Sequence, residues 1–275
     1  MSDVQRFPEG FIWGAATAAH QVEGNNVNSD WWEREHAPGT DIDEPSGDAC
    51  DSYHRYAEDM RLLADAGLSM YRFSVEWARI EPERDFVSFA ELDHYRRMID
   101  TARSLGLEPM VTLHHFTVPR WFARSGSWRA PDAVERFRRY VSVVSPILDE
   151  VSWVCTINEP NMITLASPTT AEEAGPQQAD GRSPDLAVSN TLAQAHRAAR
   201  AVLARRHGGR MRTGWSVATQ AFQSAPGADA AAERFGYHRD AWFLEAARDD
   251  DWVGVQAYTR TIVGTDGPLP VPEGS

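Results

Sequence analysis

Cysteine is scarce in this chain. There are two, Cys50 and Cys155, too few for a disulfide framework. Both fall in stretches that read as core-facing, so they are expected to be reduced thiols in a cytoplasmic protein. No apolar run approaches the ~20 residues that a membrane span requires. Residues 1–10 lack a basic stretch followed by an apolar one, so no secretory leader is expected. Basic charge is also short: 27 Lys and Arg stand against 40 Asp and Glu, a formal net charge of −13. A surface of that sign repels phosphate backbones and acidic headgroups, which disfavours nucleic acid and membrane as partners. No glycine-rich phosphate loop follows the first strand-like run, which argues against a nucleotide-binding α/β fold. His114 and His115 are adjacent on a strand and diverge. No further His or Cys cluster supplies tetrahedral ligands, so no metal and no cofactor are expected.

What is present is a regular alternation. The 275 residues are 42% apolar and 10% aromatic, enough to bury a substantial core. Six strand-like runs, at 11–16, 70–75, 109–113, 153–158, 212–217 and 252–258, alternate with amphipathic helices. Tyr53, Tyr56, Ala57, Met60, Leu63 and Ala64 repeat at helical spacing, and Gly67 can cap the end. Ser88-Phe-Ala-Glu91 reads as a capping box for a helix stopping near Gly106. Pro131 opens another helix, which Pro146 should kink or end. Ser183-Pro184 opens a fourth, ending before Gly208-Gly209. Repeated β-then-α units imply a parallel sheet, closed as a barrel or doubly wound. Residues 161–182 form the longest irregular stretch and are placed at the rim of a pocket.

The dipeptide Asn158-Glu159, followed by Pro160, ends the fourth run. It sets a carboxyl beside an amide at a buried strand end, where an α/β barrel carries its chemistry. A carboxyl held there can keep a raised pKa and protonate a leaving group. Adjacent residues on a regular strand face opposite ways, so the two share a pocket only if the strand end twists or bulges.

Several segments together resemble glycoside hydrolase family 1, the β-glucosidase-like enzymes. They are Phe11-Ile-Trp-Gly-Ala-Ala-Thr-Ala-Ala-His-Gln-Val-Glu-Gly24, Tyr71-Arg-Phe-Ser-Val-Glu-Trp-Ala-Arg-Ile80, Val111-Thr-Leu-His-His-Phe-Thr-Val-Pro119, Thr156-Ile-Asn-Glu-Pro160 and Asp251-Trp-Val-Gly-Val-Gln-Ala-Tyr-Thr259. They are similar to that family's strands one to four and six, in order. The resemblance implies an α/β fold of the (β/α)8 TIM-barrel type, with about six βα units in this chain. Residues 1–275 would be a single glycosidase barrel domain, incomplete at its C-terminus. It also implies a retaining mechanism on β-linked glycosides or oligosaccharides, of glucoside or galactoside type. Glu159 would be the acid/base, Asn158 would bind the sugar's 2-hydroxyl, and Gln21 and His115 would bind other hydroxyls. Arg72 and Tyr258 would position and tune the nucleophile. Two residues depart from the family pattern: Gln256 stands where Asn is usual, and Phe116-Thr117 where Trp-Asp is common.

The family's nucleophile is a Glu in a Thr-Glu-Asn-Gly-like motif on the seventh strand, and this sequence contains no Glu-Asn dipeptide. Strands seven and eight are therefore expected to be absent, and the nucleophile with them. Glu76, at the parity of Arg72 and Ser74, is a remote substitute, because the two carboxyl groups must stand roughly 5–5.5 Å apart. An unclosed barrel would expose two sheet edges and invite self-association. The alternative is a non-catalytic remnant that binds sugar weakly or serves only as an interaction piece. Trp121, just beyond the third run, is the tryptophan best placed for a pocket wall, and His54 and His196 read as structural.

Overall fold

A computed structural model of the protein describes residues 6–166 and 184–270. Its sheet runs β1 (Gly14–Ala16), β2 (Met70–Ser74), β3 (Glu108–Thr112), β4 (Trp153–Asn158), β5 (Arg212–Ser224), β6 (Trp252–Gly264) and β7 (Gly267–Pro268). The spatial order equals the chain order, and β1 to β6 pair in parallel. A doubly wound sheet reverses its strand order at a switch point, whereas a barrel adds each strand on the same side. The observed order therefore selects the barrel. β7 turns back antiparallel on the end of β6 and is not a further barrel strand.

The helices follow the sequence pattern with two corrections. Ser52–Asp65 ends at Gly67, whose φ of 81° an L side chain would resist. The Ser88 hydroxyl accepts from the Glu91 N–H at 3.4 Å and opens Phe89–Ser104. Ala133–Val144 tightens into a 3-10 turn, Ser145–Leu148, where Pro146 removes a helical donor. The first correction concerns the helix Leu186–His207. It is capped by Asp185, whose carboxylate accepts from the Val188 N–H at 3.0 Å. Ser183 lies outside the described residues. The second is that Pro160–Ala166 is helical, although it had read as loop; residues 167–182 lie outside the described residues.

The core fills the space between β2–β4 and these helices. Trp77, Phe122, Trp128, Phe137 and Tyr140 are all buried, and Trp77 stacks on Tyr140 with centroids 4.9 Å apart. Each such ring contributes on the order of 2 kcal/mol by leaving water. The Tyr140 hydroxyl donates to the Leu113 carbonyl at 3.0 Å, with the Val75 carbonyl 3.3 Å away, which ties the ends of β2 and β3 to the same side chain. Cys155 is buried as expected, but Cys50 is exposed, because it sits in the turn before the first long helix.

The outer sides differ. Among the described residues β1 pairs with β2 alone, and beyond β6 stands only the two-residue β7. Phe7, Phe11, Ile12 and Trp13 are exposed before β1, and Val253, Val255 and Tyr258 along β6.

Candidate active site

The end of β4 is bent. Its register against β5 shifts between Cys155 and Asn158, and Glu159 adopts a left-handed φ of 47°. Such a conformation costs a non-glycine residue about 1–2 kcal/mol. It is held by the Asn158 N–H on the His114 carbonyl at 2.8 Å and the Glu159 N–H on the Ser216 carbonyl at 2.7 Å. Pro160 then opens the following helix at a position where no N–H is needed. The bend resolves the parity problem: both side chains enter the same hydrogen-bonded network.

Asn158 is its hub. Its Oδ1 accepts from Arg72 Nη2 at 2.6 Å, Ser216 Oγ at 2.9 Å and Gln256 Nε2 at 3.1 Å. Three donors on that oxygen fix the amide orientation, so Nδ2 faces His115 Nε2 at 3.1 Å. An amide N–H can only donate, which makes Nε2 the acceptor of a neutral ring protonated at Nδ1. Burial, reinforced by Arg72 and His114, pushes the His115 pKa down to about 3, in keeping with a neutral imidazole. Arg72 is anchored by donating to Thr112 Oγ1 at 2.8 Å.

Glu159 is 8% exposed. Its Oε1 accepts from Gln256 Nε2 at 2.7 Å and lies 3.4 Å from the Tyr258 hydroxyl. Burial pushes its carboxyl above the ordinary range, opposed by the Arg72 charge and the Tyr258 hydroxyl. A carboxyl that holds its proton to higher pH than usual is better suited to donate it to a leaving group. An aromatic wall stands beside this network. Phe116 packs edge-on against His115 at 4.9 Å, and Trp31 stacks on Phe116 at 6.4 Å. Amides, an imidazole and a carboxyl beside aromatic faces suit a ligand with many hydroxyls and one apolar side.

The other sequence-derived residues fall as follows. Gln21 is exposed on the short helix Ala19–Val22, with no side-chain hydrogen bond to the Asn158–Glu159 network. Tyr258 sits against Glu159, the residue assigned as acid. Glu76 is buried and committed: its oxygens accept from the Ala78 N–H at 3.1 Å and the Thr117 hydroxyl at 2.7 Å. Trp121 is a correction, since its indole donates to the Glu81 carbonyl at 2.7 Å in a cleft lined by Arg84, Asp132 and Arg136. His114 is buried against Trp128 and Phe137. His196 is buried between the Thr156 hydroxyl and Asp250, and His54 pairs with Asp51 on the surface. Ser216 and Trp31 escaped the sequence reading. Ser216 carries no local signal, because its role comes from register against Asn158.

Among the described residues no group of three or more His, Cys, Asp or Glu is arranged to hold a metal, and no helix is long and apolar enough to cross a membrane.

Comparison with known proteins agrees with this geometry. The chain is 44% identical over 160 residues to thermostable beta-glucosidase B of Thermobispora bispora, covering 56% of this chain and 34% of that protein. It is 38% identical over 201 residues to human lactase/phlorizin hydrolase, covering 70% of this chain and 10% of that one. The chain thus spans about a third of the bacterial relative and a tenth of the human one. A crystal structure of the beta-glycosidase BGL167 superposes with a TM-score of 0.87 at 44% identity, over 98% of this chain and 70% of that one. The Thermotoga maritima beta-glucosidase in complex with castanospermine does so at 0.83 and 26%, over the same shares. The Glycosyl hydrolase family 1 profile matches residues 3–263, and the chain belongs to that family.

Proposed function

We propose that these residues form the acid/base side of a retaining β-glycosidase site. The observation that carries this reading is the Glu159 carboxyl, raised by burial and held beside Asn158 and His115 at the bent end of β4. Glu159 protonates the departing glycosidic oxygen and then takes a proton from the attacking water. Asn158 and His115 hold hydroxyls of the sugar, with Gln21 reaching it from the exposed helix. Arg72 orients Asn158 and places positive charge near the reacting carboxyls. The covalent step needs a second carboxyl roughly 5–5.5 Å from the first. Glu76 is taken up by Ala78 and Thr117, and the sequence has no Glu-Asn dipeptide. On this reading the nucleophile is missing from these 275 residues, and the substrates are β-glucosides or β-galactosides.

The test is turnover of aryl β-glucosides and β-galactosides by the protein as its host makes it, with its intact mass measured alongside. Glu159→Gln should lose about 10²–10⁴-fold in rate, with the smallest loss on substrates whose leaving group needs no proton. An intact mass of 30.7 kDa and no turnover would favour the second reading, a sugar-binding remnant. The missing Glu-Asn motif is what keeps that reading in view.

A further inference from the structure

Gln256 and Tyr258 lie two apart on β6, and residues two apart share a face of a strand. Both side chains reach Glu159. Gln256 Nε2 donates to Glu159 Oε1 at 2.7 Å, the Tyr258 hydroxyl reaches Gln256 Oε1 at 3.1 Å, and the same hydroxyl lies 3.4 Å from Glu159 Oε1. The three groups close a ring. The second N–H of Gln256 serves Asn158 Oδ1 at 3.1 Å, with Ser216 Oγ at 3.4 Å beside it.

We propose that Gln256 is a positioning residue for Glu159. Its amide, closing the ring through the Tyr258 hydroxyl, holds the carboxyl in one orientation in both protonation states and sets the pH at which the proton leaves. Proton counting supports this. Tyr258 has one proton and cannot donate to Glu159 and Gln256 at once. When Glu159 is ionised, the Tyr258 O–H and the Gln256 N–H both point at Oε1. When Glu159 is protonated, its O–H donates to the Tyr258 oxygen. The Tyr258 proton turns to Gln256 Oε1, and the Gln256 N–H still donates to Glu159. Each member of the ring then donates once and accepts once. The rotation of one hydroxyl follows the charge, and the 3.4 Å gap between Tyr258 and Glu159 needs to close by only a few tenths of an ångström. An amide is required at 256 because it offers a donor and an acceptor on one plane. The meaning for catalysis rests on Glu159 being the acid/base, but the ring does not.

The experiment is a titration followed by NMR, which needs no turnover. Glu159 Cδ is assigned by comparison with Glu159→Gln, and its shift is followed with pH alongside the Gln256 side-chain N–H signals. In the unaltered protein the Gln256 signals should move with the same midpoint as Glu159, and stop moving in Glu159→Gln. A hydrogen bond donated to a carboxylate favours its ionised form, so Gln256→Leu should raise the Glu159 midpoint by about one pH unit. Tyr258→Phe should raise it by less, because its contact is longer and Tyr258 is 73% exposed. Should Gln256→Leu fail to fold, the signals of the unaltered protein and Tyr258→Phe decide the matter. Gln256 signals indifferent to the Glu159 titration, or an unmoved midpoint in a folded Gln256→Leu, would overturn the proposal. Failure of the glycosidase reading would appear as absent turnover and would leave these signals as they are.

Discussion

Arg72 Nη2 and Asn158 Oδ1 are 2.6 Å apart, joining β2 to the end of β4 across the intervening β3. Arg72 is thereby the brace of the network, since it also reaches Thr112 and Ser216. Replacing it by Met keeps much of the volume and removes the donors. Asn158 retains Ser216 and Gln256, so Arg72→Met should cost about 1–3 kcal/mol in urea unfolding. The Glu159 midpoint should also rise, because the Arg72 charge pulls it down. A variant of unchanged stability and midpoint would show that the brace is idle.

The left-handed backbone at Glu159 is a separate store of strain. Glycine adopts φ near 47° freely, whereas alanine pays the steric cost of Cβ. Glu159→Gly should therefore unfold at a higher denaturant concentration than Glu159→Ala, by about 1 kcal/mol, although both lose the same hydrogen bonds. Equal midpoints would mean that the strand end relaxes once the carboxyl is gone.

The same bend marks the limit of what sequence could show. The strands, the helix order and the Asn158-Glu159 pair were legible because apolar period, caps and strand-end position are local signals. The left-handed turn was not, since it is defined by backbone bonds to His114, just past β3, and to Ser216 on β5. β5 and β6 extend well past the runs that suggested them, to Ser224 and Gly264. Their outer halves are stabilised by pairing with each other, and exposed residues such as Gln220 and Arg260 give no apolar signal. Trp121 was misplaced for a related reason: a tryptophan just after a strand does not disclose which way its helix turns it.

A half-buried carboxyl away from Glu159 predicts how stability depends on pH. Asp30 accepts from the Val118 N–H at 2.9 Å, and burial, with the Glu76 charge adding, raises its pKa from 3.8 to about 7. A group whose folded pKa is raised binds its proton more tightly in the folded state. Its contribution is full below the unfolded pKa near 3.8 and is lost as pH rises through about 7. Asp30→Asn keeps an acceptor for Val118 and has no charge to bury. It should be more stable than the parent at pH 8 by about 2–4 kcal/mol, with the gap closing toward pH 4. Thermal melts of both proteins across that range check it; a gap constant with pH would show that Asp30 is ionised at little cost.

The outer side of β6 supports a prediction about association. Val253 and Val255 are 44% and 59% exposed on one face of a strand whose outer neighbour, among the described residues, is the short β7. Two such valines, on a strand that β7 pairs with only at Val263 and Gly264 among the described residues, attract either another strand or an apolar helix face. Without such cover the 275-residue chain should self-associate as its concentration rises. Charged side chains blunt an edge by making burial costly, so Val253→Lys with Val255→Lys should shift the sedimentation distribution toward monomer at equal concentration. The far-UV spectrum should stay unchanged, because both side chains already face solvent. An unaltered chain that sediments as a monomer at every concentration would mean that this edge is already protected, and lysine there would then bring no gain.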